Sequence, residues 1–177
     1  MTTTTALDPA TLTGERADLL ESLRKHRFFL TLPARGLTDD QGRLRPTASE
    51  LCIGGIVKHV TQAERNWTRF IVHGPDALPD HTAPEVLADW LDGHTMRDDE
   101  TLAGILENYE AQARRTDELV ATTDLDASQA LPPAPWFEPG ARWSARRVVL
   151  HLIAEIAQHA GHADIIRETI DGQKSMG

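Results

Sequence analysis

Apolar residues recur at intervals of three and four along most of the chain, and strict alternation is scarce, so the pattern predicts helices rather than strands. The first helix is expected from about Thr13 to Leu32, with Leu19, Leu20, Leu23, Phe28 and Leu30 inward and Pro33 and Gly36 closing it. A polar loop with Asp39, Asp40 and Gly42 follows. Pro46-Thr47-Ala48-Ser49-Glu50 opens a second helix, with Thr47 or Ser49 as N-cap; it carries Ile53, Ile56, Val57, Val60, Ala63, Trp67 and Phe70 and ends near His73-Gly74-Pro75. Residues 76–95 read as a long connection holding a short helix around Pro84 to Leu91. A third helix is expected from about Asp99 to Ala121, with Leu102, Ile105, Leu106, Tyr109, Ala113 and Leu119 on its apolar side. Pro132-Pro133-Ala134-Pro135-Trp136 marks an extended loop, because proline lacks the N–H that ladders and helix interiors require. Trp143-Ser144-Ala145-Arg146 then enters a fourth helix that runs to about Ile170 and stops at Asp171-Gly172. The expectation is an all-α, four-helix bundle with long connections, one domain over residues 1–177 with 1–12 flexible.

Composition narrows the classes. The chain has 177 residues, 27 Asp plus Glu against 18 Lys plus Arg, and a formal net charge of −9. That length buries about 70% of the unfolded surface without staples. The lone Cys52 cannot form an internal disulfide, and no Cys-x-x-Cys pair exists, which fits a reducing, cytoplasmic setting and leaves His and carboxylates to hold any metal. Cys52 itself reads as a small buried group. An acidic chain whose basic pairs Arg114-Arg115 and Arg146-Arg147 both read as solvated helix faces is not expected to bind nucleic acid. The threonine-rich start, Met1 to Ala6, lacks the marks of a secretory signal. The most apolar run, Val148 to Ala157, is broken by His151 and Glu155, so no membrane association is expected.

The informative stretch is His151-Leu152-Ile153-Ala154-Glu155-Ile156-Ala157-Gln158-His159-Ala160-Gly161-His162. On a helix, His151, Glu155, His159 and His162 fall at about 0°, 40°, 80° and 20°, so four metal-capable side chains share one stripe. The rest of that helix is largely apolar, which turns part of the stripe toward the bundle. A carboxylate buried beside imidazoles needs compensation, and a divalent cation supplies it. Glu155 and His159, one turn apart, can converge on one ion; an internal ion pair is the competing reading. A third ligand must come from elsewhere, and His59, at the edge of the second helix's apolar stripe, is the best placed, although a packing histidine is the plainer interpretation of it alone. Two histidines and a carboxylate leave open positions, as catalytic sites do. His151 and His162 read as partners that orient a ligand, alternative ligands or proton carriers. His26, His73, His81 and His94 lie in or beside polar segments and are expected to face solvent.

Gly54-Gly55-Ile56-Val57-Lys58-His59-Val60, followed by Glu64 and Trp67, together with the His151–His162 stretch and Ala163-Asp164-Ile165-Ile166-Arg167-Glu168, resembles the DinB-like superfamily. More narrowly it is similar to the actinobacterial branch of unknown function grouped with mycothiol-dependent enzymes. The resemblance spans about Thr13 to Gly172 and implies a four-helix bundle, often dimeric, with a divalent metal on three protein ligands. Transferred residue by residue, these are His59, Glu155 and His159. Many members have three histidines; Glu155 departs from that pattern as mycothiol-dependent maleylpyruvate isomerase does. The carboxylate hardens the site, so zinc is the first expectation, with nickel, manganese or iron also suited.

The function this implies is a metal-dependent S-transferase or isomerase with mycothiol as cosubstrate, in which a metal-bound thiolate attacks a small electrophile. The alternatives are a hydrolase working through metal-bound hydroxide and a non-enzymatic, metal-binding stress-response protein. Trp136, Phe137 and Trp143 flank the proline-rich loop before the last helix and are expected either to line a substrate pocket or to tie the loop to the bundle. The expected partners are the low-molecular-weight thiol, the electrophile and a second copy of the chain.

Overall fold

The computed structural model describes residues 12–79 and 93–176. The short helix expected around Pro84 to Leu91, the placement of His81 and the expectations for residues 1–11 lie outside the described residues. In chain order the helices are α1 (Glu15–Thr31), α2 (Asp39–Arg43), α3 (Ile53–His73), α4 (Leu102–Thr122) and α5 (Ala145–Asp171), with a two-stranded antiparallel hairpin, β1 (Ser128–Ala130) and β2 (Arg142–Ser144), before the last. Helix α1 packs on α4 and α5, and α3 packs on the same two, which closes a ring of four long helices. The fold is all-α in class, and among the described residues no helix is long and apolar enough to cross a membrane.

The core follows from helical periodicity. On α1 the buried positions are Leu19, Leu20, Leu23, Arg27 and Leu30, and on α3 they include Ile53, Ile56, Val57, Val60, Glu64, Thr68 and Ile71, mostly at three- or four-residue steps. Leu23, Ile56 and Val60 are completely buried; each contributes about 1.5–3 kcal/mol over leaving the side chain in water. The apolar stripe of α3 is interrupted by Glu64, which is fully buried and pairs with the Arg27 guanidinium from α1. Arg27 also donates to Asp117 of α4 at 2.6 Å. Burial opposes the charge on Arg27, yet Glu64 and Asp117 outweigh it and hold its pKa above the ordinary value. A polar seam therefore ties three helices together inside an otherwise apolar core.

Helix starts depart from the sequence expectation in one consistent way. Thr47 and Ser49 do not cap α3: their hydroxyls accept from the N–H groups of Ser49 and Leu51, two residues on, as local turns. Helix α3 begins at Ile53, and the N-cap is Cys52, whose Sγ accepts from Gly55 N at 3.3 Å. Helix α4 starts at Leu102 behind a Thr101 cap rather than at Asp99, and α5 starts at Ala145 behind a Ser144 cap, which leaves Trp143 in β2. The segment expected to be a polar loop contains α2, nucleated by a capping box in which Thr38 and Gln41 exchange bonds. The hairpin is invisible to periodicity because strands of three residues carry no readable alternation; register fixes it, with Gln129 opposite Trp143.

Candidate metal centre

The buried face of α5 holds Val148, Val149, Leu152, Ile156 and Ala163, whereas Leu150, Ala154, Gly161 and Ile165 are exposed. The stripe His151–Glu155–His159–His162 runs along the border between these faces: His159 is buried and the other three are half-buried. That border placement makes a site that is partly desolvated and still reachable.

Helix α3 brings His59 to the same place. His59 Nε2 lies 3.0 Å from Glu155 Oε1, and His159 Nε2 lies 3.3 Å from the same oxygen. One ligand atom from each of the three residues falls within 4.8 Å of the others, so this group could hold a metal ion. The structure thus brings together the three residues singled out from the sequence. The His159 imidazole, and then that of His59, hold the Glu155 carboxyl well below the usual carboxylate range despite opposing burial. A permanently ionised carboxylate facing two imidazole nitrogens is a donor set of the right chemistry for a divalent cation.

Residues 18–172 match the family described as mycothiol-S-transferase. The chain belongs to that family. Membership ties it to transfer chemistry involving a low-molecular-weight thiol. A solved structure titled as the conserved protein of a locus from Enterococcus faecalis is similar in fold, with a TM-score of 0.68 at 12% identity over 92% of this chain and 100% of that one. No curated protein matches the chain.

The surroundings of the site in this member of the mycothiol-S-transferase family divide into two walls. Toward the start of α5, Trp143 from β2 stacks on Trp67 of α3 at 4.9 Å, and both rings meet His151 edge-on at 4.9 and 5.2 Å. The hairpin delivers Trp143 there, and Arg147 lies 4.2 Å from the centre of its ring. Arg147 is therefore fixed on an aromatic face rather than simply solvated, and Arg146 pairs with Glu15 and Asp126. Burial pushes the His151 imidazole below its ordinary pKa range, with Glu155 opposing. Phe137 meets Trp143 edge-on at 5.7 Å, while Trp136 is 62% exposed farther out on the loop. Toward the end of α5, His162 meets His159 edge-on at 5.4 Å. Among the described residues no hydrogen bond joins His151 or His162 to His59, Glu155 or His159.

Of the four histidines expected in solvent, His73 is exposed and His26 half-buried. His94 is a correction. Its ring stacks on His59 at 4.0 Å with an interplanar angle of 28°, so it is part of the site's wall. The segment looks polar, and a 35-residue separation hides such a contact. The readable signal is Gly54-Gly55 in the first turn of the same helix, since paired glycines mark a place where another backbone comes close.

Proposed function

We propose that this chain is a divalent-metal-dependent S-transferase in which His59, Glu155 and His159 are the metal ligands, mycothiol is the thiol cosubstrate and a small electrophile is the acceptor. The observation that carries this reading is the convergence of three donor atoms from two helices on one half-buried point. Two of the separations are 3.0 and 3.3 Å, both to Glu155 Oε1, and all three donor atoms lie within 4.8 Å of one another, close enough for one cation to draw them together. Zinc is the first choice for this donor set, with nickel, manganese and iron behind it. A cation held there lowers the pKa of a thiol that reaches its open position, making a thiolate available at neutral pH.

The chain's own residues do the rest. Glu155 stays ionised and brings one negative charge to the donor set. The thiol gives up its proton, its sulfur bonds to the electrophilic carbon, and the displaced bonding pair leaves with a halide, stays on the oxygen of an opened epoxide or passes to the enolate of an unsaturated ketone, the last two then taking up a proton. His151, kept neutral by burial, is the group assigned to accept the thiol proton, with His162 as the second candidate carrier. The Trp143 and Trp67 stack with His151 gives one end of the site an apolar wall for the electrophile, and Trp136 extends it outward. A cytoplasmic setting keeps a free-thiol cosubstrate reduced.

The test is conjugation of a panel of activated halides, epoxides and unsaturated ketones by metal-loaded protein. Product is expected only when both mycothiol and metal are present. Product without thiol would replace this reading with hydrolysis, and no turnover across the panel would overturn the transferase assignment.

The reading includes a homodimer, supported by the outward face of α5, where Leu150 and Ile165 are 49% and 60% exposed beside Ala154 and Gly161. Sedimentation velocity is expected to give twice the chain mass for the parent and a shift toward the monomer for Ile165→Glu; a monomeric parent refutes the dimer.

A further inference from the structure

We propose that His94 is a positioning residue for the metal site, held by a strap of backbone whose seat is the glycine pair at the start of α3. The inference rests on the reading of His59, Glu155 and His159 as ligands, and it concerns how His59 is made ready for that role.

The ring torsion of a histidine is broad and roughly two-fold, so in a half-open site the imidazole turns unless a neighbour holds its plane. His159 meets His59 edge-on at 4.8 Å and does not lie flat on it. His94 lies flat on that ring at 4.0 Å. It does not join the converging donors. A stacked plate of this kind restricts rotation while leaving His59 Nε2 directed at Glu155 Oε1.

The backbone that carries His94 is seated on α3. A Cβ at Gly55 would lie 1.9 Å from the carbonyl oxygen of His94, and one at Gly54 would lie 2.4 Å from Met96 Sδ. The Gly55 contact is with backbone, so no side-chain rotation relieves it. Gly55 and His59 are one turn apart on the same face, which is why a backbone crossing over the first puts its side chain over the second. Further tethers follow. Lys58 Nζ donates to Thr95 O at 2.7 Å and to Glu100 Oε2 at 2.8 Å. Arg43, supplied by α2, donates to the carbonyls of Arg97 at 3.1 Å and Asp98 at 3.3 Å. None of these contacts reaches the donor atoms, yet together they fix the chain that lays His94 on His59.

The experiment is a zinc-affinity measurement by chelator competition on the full chain, for the parent, His94→Ala, His94→Phe, Gly55→Ala and the Gly55→Ala/His94→Ala double variant, each checked by circular dichroism for parental helix content. His94→Ala is expected to weaken zinc binding about tenfold or more, in the range of changes to groups that orient ligands. His94→Phe, which restores a flat plate without ring nitrogens, is expected to recover to within about threefold of the parent. Gly55→Ala should resemble His94→Ala, and the double variant should be no weaker than either single one, because both remove the same support. Parental affinity in His94→Ala overturns the proposal. Failure of His94→Phe to recover does so as well, since it would assign the effect to the ring nitrogens. Where Gly55→Ala does not fold, the two His94 variants decide between support and refutation. A parent protein that binds no zinc sinks the ligand assignment itself, which separates the two failures.

Discussion

Replacing His159 by alanine is expected to abolish stoichiometric metal binding, lowering affinity by at least about 100-fold, more than the 10- to 100-fold typical of changes outside the ligand set. The reasoning is geometric. His159 is 9% exposed, and its Nε2 is one of only two imidazole nitrogens that face Glu155 Oε1 among the described residues. Removing it leaves His59 and Glu155, and two protein donors do not compete with water for a divalent ion. Thiol-dependent conjugation should disappear in parallel. Metal analysis of the purified variant beside the parent is the direct measurement. Unchanged metal content in the variant would sink the ligand assignment whatever the activity. A comparison of apoprotein melting for the variant and the parent separates loss of the site from loss of the fold.

The second large effect lies away from the site. Glu64→Ala is expected to destabilise the chain by about 3 kcal/mol, the low end of the penalty for breaking a buried ion pair, because Arg27 keeps Asp117 as a partner. For a chain of this size that corresponds to a melting temperature lower by about 6–12 °C. The cause is asymmetry: the Arg27 side chain is 8% exposed and the Glu64 side chain 0%, so removing the carboxylate strands a charge where water cannot reach it. The tyrosine beside them feels the same environment; burial, and then the Glu64 charge, push the Tyr109 phenol far above its ordinary pKa. The double replacement Arg27→Met/Glu64→Leu should recover most of the loss, since apolar residues of similar volume commonly substitute for a buried pair at little cost. Urea melts of the parent and both variants check this, and a loss below about 1 kcal/mol for Glu64→Ala would show that the pair is not the joint among α1, α3 and α4 that its burial implies.

Much of this is legible from residue order, for reasons that differ by element. Helices α1, α3, α4 and α5 announce themselves because each buries a stripe through several turns, and a three-to-four periodicity over that length has no strand equivalent. The C-terminal ends of α3 and α5 are equally plain at Gly74 and Gly172, which adopt positive φ values of 78° and 79°. Starts are less legible. Ser and Thr hydroxyls serve turns as readily as caps, so Thr47 and Ser49 read as caps of α3 from residue order although they close local turns instead. The hairpin depends on pairing across the proline-rich loop, which leaves no mark in three residues.

The site divides along the same line. His151, Glu155, His159 and His162 share a face by the arithmetic of one helix, and no tertiary information is needed to see it. The sequence by itself therefore determined the helical class, the stripe on the last helix and the type of donor atoms available. Only the tertiary structure decided that His59 approaches Glu155 to 3.0 Å, that Trp67 and Trp143 stack beside His151, and that His94 lies flat on His59. Periodicity fixes where a side chain points on its own helix, whereas contacts between residues 35 or 96 apart depend on how helices pack and how closely one backbone can approach another, which Gly54 and Gly55 permit without revealing what will occupy the space.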